Sequence, residues 1–333
     1  MIIDFRHRQA AHCENGVTSN LLKHYGVDIS EAMAFGLGSG IFFVYLPFLK
    51  LNGLPVTSYR PLPGLIFKRT AAHLGIKICR KKFRDKEESM KTLDKVLASG
   101  IPVGLQVGVF HLTYFPRPYR FHFNAHNIVV FGKENGRYLI SDPVMETPET
   151  MTYAELMRAR WARGVFQPKG HMYYPVKTPS RVDLAGPIIK AIRKSCRDML
   201  SIPGPLLGVR GIRYLSKEVK KWPERLGEKR AALNLGQVIR MQEEIGTGGA
   251  GFRFIYAAFL QEASRILNHN RLGELSRCMT ECGDRWRDFA VIAGRIIKNR
   301  SGEFESYSAM SEILSEVAER EKVIFSELKK AVS

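Results

Sequence analysis

The apolar positions of this chain change their period between its two halves. In the first half, helical and strand spacings alternate over short lengths. The stretch 15–25 (NGVTSNLLKHY) predicts a helix ended by Gly26, after which Asp28 or Ser30 caps a further helical turn over 31–35. Residues 62–74 predict a helix ending at Gly75 and 76–83 a strand. Residues 86–98 predict an amphipathic helix that turns Met90, Leu93, Val96 and Leu97 inward before Ser99 and Gly100 stop it. Three strands are predicted next, over 102–110, 127–131 and 138–141, the last two joined by a four-residue Lys-Glu-Asn-Gly turn at 133–136.

Beyond Tyr174 the texture changes. Pro175, Pro179, Gly186 and Pro187 make a linker-like passage. Long helical periods follow at about 186–200, 223–245, 252–268, 272–298 and 307–331, with Pro223 suited to a first turn. The sequence Gly-Thr-Gly-Gly-Ala-Gly at 246–251 separates two of them. The pattern predicts an α+β protein with a mixed domain over 1–178 and a mainly α-helical domain over 179–333. A length of 333 residues agrees with two folding units. Residues 32–49 carry no charge over 18 positions, which reaches the lower limit for a membrane span. Gly36, Gly38, Gly40 and Pro47 interrupt that run too often for a spanning helix, so it reads as a buried core segment and no integral membrane span is expected.

Composition adds a strongly basic balance. Lysine and arginine total 51 against 32 acids, a net charge of +19, with +11 up to residue 179 and +8 beyond it. A basic surface spread this evenly suits an acidic partner or serves solubility. The sequence has no recognition helix, zinc finger or paired RNA-binding aromatics, so no nucleic acid is expected as a partner. Cys13, Cys79, Cys196, Cys278 and Cys282 are odd in number and contain no CxxC pair, which excludes a disulfide scaffold and a zinc ribbon. The first nine residues have no apolar secretory core, which predicts a cytoplasmic location.

Three residues of the first half carry candidate chemistry. Cys13 stands at a helix start, where unpaired backbone N–H groups and the dipole lower a thiol pKa and offer donors to a developing oxyanion. His126 opens one predicted strand and Asp142 ends the next. A four-residue turn places the two within about one residue of opposite each other, and a bulge would put both on one face. Cys, His and Asp so arranged serve nucleophilic acyl chemistry. The spacing permits that triad and leaves its register open.

The run His12-Cys13-Glu14-Asn15, with Ser19-Asn20-Leu21-Leu22, Tyr25-Gly26, Ser30-Glu31 and Phe35-Gly36-Leu37-Gly38-Ser39-Gly40, resembles the N-terminal domain of the butirosin biosynthesis protein H family. So do Ala125-His126-Asn127-Ile128-Val129-Val130 and Tyr138-Leu139-Ile140-Ser141-Asp142-Pro143, which also resemble the His and Asp blocks of papain-like peptidases of the bacteriocin-processing type. Ile245-Gly246-Thr247-Gly248-Gly249 with Phe252-Arg253, Tyr256-Ala257 and Phe259-Leu260 resembles the helical domain that follows in that family.

The resemblance implies a papain-like, cysteine-protease-type domain followed by a helical one. It also implies an acyltransferase that takes an acyl group from the phosphopantetheine thioester of an acyl carrier protein and delivers it to a small amine acceptor. Carried over, Cys13 is the nucleophile, His126 the base and Asp142 the orienter. No cofactor is bound directly, since phosphopantetheine arrives on the carrier. Papain-like peptidases place an oxyanion-hole Gln about six residues before the nucleophile. That position holds His7 here, so Gln9 is the side-chain candidate beside the Cys13 N–H, with Glu31 as a supporting carboxylate. Gly38, Gly246, Gly248, Gly249 and Arg253 are the expected substrate-binding positions, because glycine loops allow close backbone approach. Two rivals share these features: hydrolysis by the same triad, as a peptidase, amidase or thioesterase, and a basic binding module whose triad is idle. No metal is expected, since His122 and His126 on an extended chain do not form a one-face pair.

Overall fold

The computed structural model describes residues 2–51 and 53–333. They separate into two compact units, Met1–Ala34 with Pro63–Val182, and Phe35–Leu62 with Asp183–Ser333. In chain order the elements begin with α1 (Cys13–His24), α2 (Glu31–Leu37), β1 (Val44–Leu51), β2 (Leu54–Ser58), α3 (Leu65–His73), β3 (Lys77–Lys81) and α4 (Lys86–Ala98). Then come β4 (Val103–Val107), β5 (His126–Glu134), β6 (Arg137–Ser141), β7 (Glu149–Thr152), α5 (Tyr153–Arg160) and β8 (Met172–Lys177). The chain closes with α6 (Ala185–Leu200), α7 (Gly208–Leu226), α8 (Glu228–Ile239), α9 (Arg253–Ile266), α10 (Asn270–Ile297) and α11 (Tyr307–Ala331). The architecture is α+β, a sheet-bearing part followed by a mainly helical one.

The first unit is built on a six-stranded antiparallel sheet in the order β3-β8-β4-β5-β6-β7. Strand β4 is buried along its whole length, as its apolar run requires when both sheet faces are covered. One face packs Leu105, Ile128, Val130 and Ile140 against Met90, Leu93 and Leu97 of α4 and Leu156 of α5. The other packs Val129, Phe131 and Tyr173 against Val17 and Leu21 of α1 and Phe67 of α3. Local signals start the helices where they stand. Asp85 accepts from the Glu88 N–H at 2.7 Å to cap α4, and Thr152 with Glu155 forms a reciprocal capping box on α5.

The second unit differs from a continuous domain over 179–333, because residues 35–62 belong to it. Phe35 stacks on Phe252 at 5.0 Å and 11°, and a Cβ on Gly36 would lie 2.1 Å from the Phe259 ring. The uncharged run at 32–49 is therefore core only in part. It forms α2 and a turn and then enters the hairpin β1–β2, which leaves Phe48 75% exposed. Pro223 does not open a helix. It sits in the last turn of α7, which ends at Gly227, and α8 starts afresh at Glu228.

Candidate functional site

Cys13 is the first helical residue of α1 and is buried. Its position is fixed from three directions. His12 is the extended N-cap, and its Nδ1 accepts from the Asn15 N–H at 3.4 Å. The Glu31 carboxylate accepts from the N–H groups of Ala11 (3.0 Å) and His12 (2.7 Å), pinning the backbone that leads into Cys13. Burial raises the Glu31 pKa, and those backbone bonds oppose the rise. Glu14, fully buried beside the cysteine, accepts from the N–H of Ile66 at 2.9 Å and of Phe67 at 3.4 Å. The N-cap of α3 is Gly64, which has no side chain to offer, so Glu14 caps α3 from a distance and ties it to α1.

His126 and Asp142 meet because β5 is bulged. The turn between β5 and β6 has only two residues, Asn135 and Gly136, since Glu134 pairs with Arg137. Gly132 then pairs with Leu139, the register slips by one between Val130 and Gly132, and Val129 pairs with Ser141. Continued one step, the bulged register sets Asp142 opposite Ile128, on the face of β5 that also carries His126. Without the slip Asp142 would lie on the other face. His126 Nε2 and Asp142 Oδ2 are 2.7 Å apart. The same Oδ2 accepts from the Tyr114 hydroxyl at 2.8 Å, and Oδ1 accepts from the Val144 N–H at 3.2 Å. Phe115 stands edge-on to the His126 ring at 5.8 Å and 88°.

The electrostatics follow from this packing. Burial disfavours an imidazolium, but the charges of Asp142 and Cys13 and hydrogen bonds to both outweigh it, and the His126 pKa is raised to about 10. With Nε2 held by Asp142, Nδ1 is the ring nitrogen left to face Cys13. The Tyr114 hydroxyl is pushed well above its ordinary pKa by burial and by Asp142, so it stays protonated and donates. A charged imidazole beside a thiol at a helix N-terminus is suited to attack on an electrophilic carbonyl.

A second polar chain reaches the sulfur from the other side. The Tyr173 hydroxyl donates to Asn127 Oδ1 at 2.7 Å, and Asn127 Nδ2 lies 3.9 Å from Cys13 Sγ and 3.1 Å from the Ala125 carbonyl. Gln9 is exposed on the N-terminal arm. His7 is engaged elsewhere, with Nδ1 2.8 Å from the Ser141 hydroxyl and Nε2 3.2 Å from the Met145 carbonyl. A carbonyl only accepts, so Nε2 donates to Met145. The arm is thereby tied to the corner that bears Asp142. Gly16 lets α1 reach the same corner, since a Cβ there would lie 2.4 Å from Pro143 Cβ and 2.7 Å from Ala10 Cβ.

The remaining expected positions lie in the second unit. Gly38 is buried in the turn after α2. Gly246, Gly248 and Gly249 have φ of 61°, 67° and 88°, a left-handed run that glycine adopts without strain. That loop is closed by Thr247, which donates to the Gln242 carbonyl and accepts from the Gly249 N–H. Arg253 is turned into the interior of the helical unit. It is fully buried, its Nε and Nη2 donate to the two oxygens of Glu321 at 2.8 and 2.9 Å, and Nη1 donates to the Gly251 carbonyl. Glu321 also accepts from Trp286 Nε1, so the pair belongs to the interior of the helical unit. Among the described residues, no group of three or more His, Cys, Asp or Glu side chains is placed to hold a metal, and no helix is long and apolar enough to cross a membrane.

Sequence reasoning missed Tyr114, Glu14 and Asn127. In the sequence Tyr114 is one of a cluster of aromatics with Phe115, Tyr119, Phe121 and Phe123, and Glu14 and Asn127 are neighbours of Cys13 and His126. Nothing in their spacing distinguishes a partner of the site from a loop residue.

Two family models match the chain on either side of residues 144–153. Residues 12–143 match the family model described as "Butirosin biosynthesis protein H, N-terminal", and residues 154–328 match "Domain of unknown function (DUF4872)". No curated protein matches the chain in sequence. Among solved structures, the chain is similar to a C39-like peptidase from Bacillus anthracis at 13% identity and a TM-score of 0.37, over 54% of this chain and 98% of that one.

Proposed function

The chain belongs to the butirosin biosynthesis protein H family, with a papain-like N-terminal domain, and from that membership we propose that it is a cysteine-dependent acyltransferase acting through an acyl-Cys13 intermediate. One observation carries the reading: His126 lies 2.7 Å from Asp142, and Cys13 opens α1, where the charges of Asp142 and Cys13 both favour the imidazolium. In the proposed cycle the Cys13 thiolate attacks the thioester carbonyl of an acylated carrier protein. The oxyanion that forms is met by the Cys13 N–H at the start of α1 and by the Asn127 amide. Collapse breaks the carbonyl–sulfur bond to the phosphopantetheine arm, whose thiolate takes the proton from His126. An amine then attacks the acyl-Cys13 thioester, neutral His126 accepts the amine proton, and collapse returns the Cys13 thiolate with the amide as product. The basic charge on both halves supports an acidic carrier as donor.

Intact-mass measurement after incubation with a panel of acyl carrier proteins tests this. The wild type gains the mass of the acyl group, loses it as amide when an amine is added, and Cys13→Ala gains nothing. An adduct released only as free acid, with the amine present, replaces transfer with hydrolysis. Turnover by Cys13→Ala at the wild-type rate removes the acyl-enzyme altogether.

A further inference from the structure

A second concavity lies in the first unit, where the last turn of α5 and the segment after it face the loop that follows β4. It encloses about 320 Å³ and is lined by Lys86, His111, His122, Arg158 and Arg163, with Met157, Trp161 and Ala162 as its apolar part. Five of the lining side chains can carry positive charge, and no acid lines it. Among the described residues, Lys86, Arg158 and Arg163 hold no ion pair. Elsewhere the exposed Arg271 and Arg320 and the half-buried Arg8 and Arg285 each hold a carboxylate.

The imidazoles are fixed in place: His122 stacks on Phe110 at 4.3 Å and 13°, and His111 meets the same ring edge-on at 5.4 Å. Burial and the charges of Arg158 and His122 lower the His111 pKa, which marks a locally positive field. Four carbonyls of this segment are already used. Those of Arg158, Ala159 and Arg160 accept from the N–H groups of Trp161, Gly108 and Gly170, and that of Arg163 accepts from Asn124 Nδ2. The side chains of Lys86, Arg158 and Arg163 bring three cations to the cavity.

We propose that this cavity binds a small phosphate monoester, with Arg158, Arg163 and Lys86 on the phosphate and Trp161 and Met157 against the flat or apolar remainder of the molecule. Guanidinium forks match phosphate oxygens two at a time, and the ammonium adds a point charge. The volume is at the small end of the range for small-molecule sites, about 300–1,000 Å³. Phosphate offsets the mutual repulsion of clustered cations that no protein carboxylate neutralises. The site uses none of Cys13, His126 or Asp142, so it stands or falls apart from the acyltransferase reading.

Calorimetric titration and thermal unfolding with AMP, inorganic phosphate and adenosine test it, with potassium chloride at matched ionic strength. AMP should bind more tightly than phosphate, and adenosine should not bind. The double variant Arg158→Gln/Arg163→Gln should weaken AMP by at least about tenfold while unfolding at the wild-type temperature without ligand. Cys13→Ala should bind AMP as the wild type does. Unchanged AMP affinity in the double variant, equal stabilisation by chloride, or no binding of AMP or phosphate at about 10 mM overturns the proposal. Phosphate binding with no gain for AMP overturns the role given to Trp161 and Met157.

Discussion

Asp142 meets His126 through an oxygen that it shares with Tyr114, and that sharing has a kinetic consequence. The Tyr114 hydroxyl donates to Oδ2 and stays protonated, so it spreads the carboxylate charge and fixes the angle at which His126 Nε2–H approaches. Because the His126 pKa is raised above its ordinary value, the imidazolium that donates a proton to the leaving thiolate is present below about pH 10 and is lost as pH rises through it. The alkaline limb of kcat for carrier-bound donors should therefore fall near pH 10. Tyr114→Phe keeps the ring and removes one charge-assisted hydrogen bond. It should lower kcat by about tenfold and, by leaving Asp142 a stronger acceptor, move the alkaline limb upward. A rate and pH profile identical to wild type would show that Tyr114 only fills space.

At the scale of elements, the site depends on how closely α1 approaches the end of β6. Two features set that distance. The bulge in β5 turns Asp142 onto the His126 face, and Ile2 and Ile3 pair with the bulged segment through the Ile2–Gly132 bridge and the bond from the Ile3 N–H to the Phe131 carbonyl. Gly16 removes the side chain that would hold α1 away from Pro143, and the Ala10 N–H donates to the Pro143 carbonyl at 2.7 Å across the same contact. Gly16→Ala improves helix propensity on paper but places a methyl group 2.4 Å from Pro143 Cβ, against a rigid ring. The overpacking should cost about 1–3 kcal/mol of stability in thermal or denaturant unfolding. It should also reduce kcat/KM by more than it lowers the fraction folded, because Asp142 moves with Pro143. Gly16→Ala with wild-type kcat/KM would show that the corner yields without disturbing Asp142.

For the whole molecule the net charge of +19 governs encounter rather than chemistry. Steering by a distributed basic surface raises the association rate and is screened once the Debye length falls to about 3 Å near 1 M salt. Cys13, at 7% exposed, and Asp142, at 0%, are sheltered from that screening. Rising salt should lower kcat/KM for carrier-bound donors several-fold more than for a small neutral thioester such as an acyl-N-acetylcysteamine. Equal salt sensitivity for the two donors would leave the basic surface with no part in docking.

Read alone, the sequence determined the fold class and many of the elements, because these are recorded locally, and it nominated Cys13, His126 and Asp142 through their family resemblance. A helix announces itself by its period, as over 86–98, and Cys13 by its place ahead of an apolar helical run. The period over 223–245 does not show the break at Gly227, where α7 ends with Pro223 in its last turn and α8 begins. Tertiary structure alone decided what depends on residues distant in the chain. The register of β5 and β6 rests on a bulge whose one-residue slip leaves no mark on the alternation of apolar positions. The membership of residues 35–62 in the helical unit rests on ring contacts with Phe252 and Phe259 more than 200 residues away. Tyr114 reaches Asp142 across 28 residues, and Arg253 is consumed by Glu321 across 68. Such pairings are selected by complementary shape and by the cost of leaving a buried polar group unpaired, and both are properties of the assembled interior.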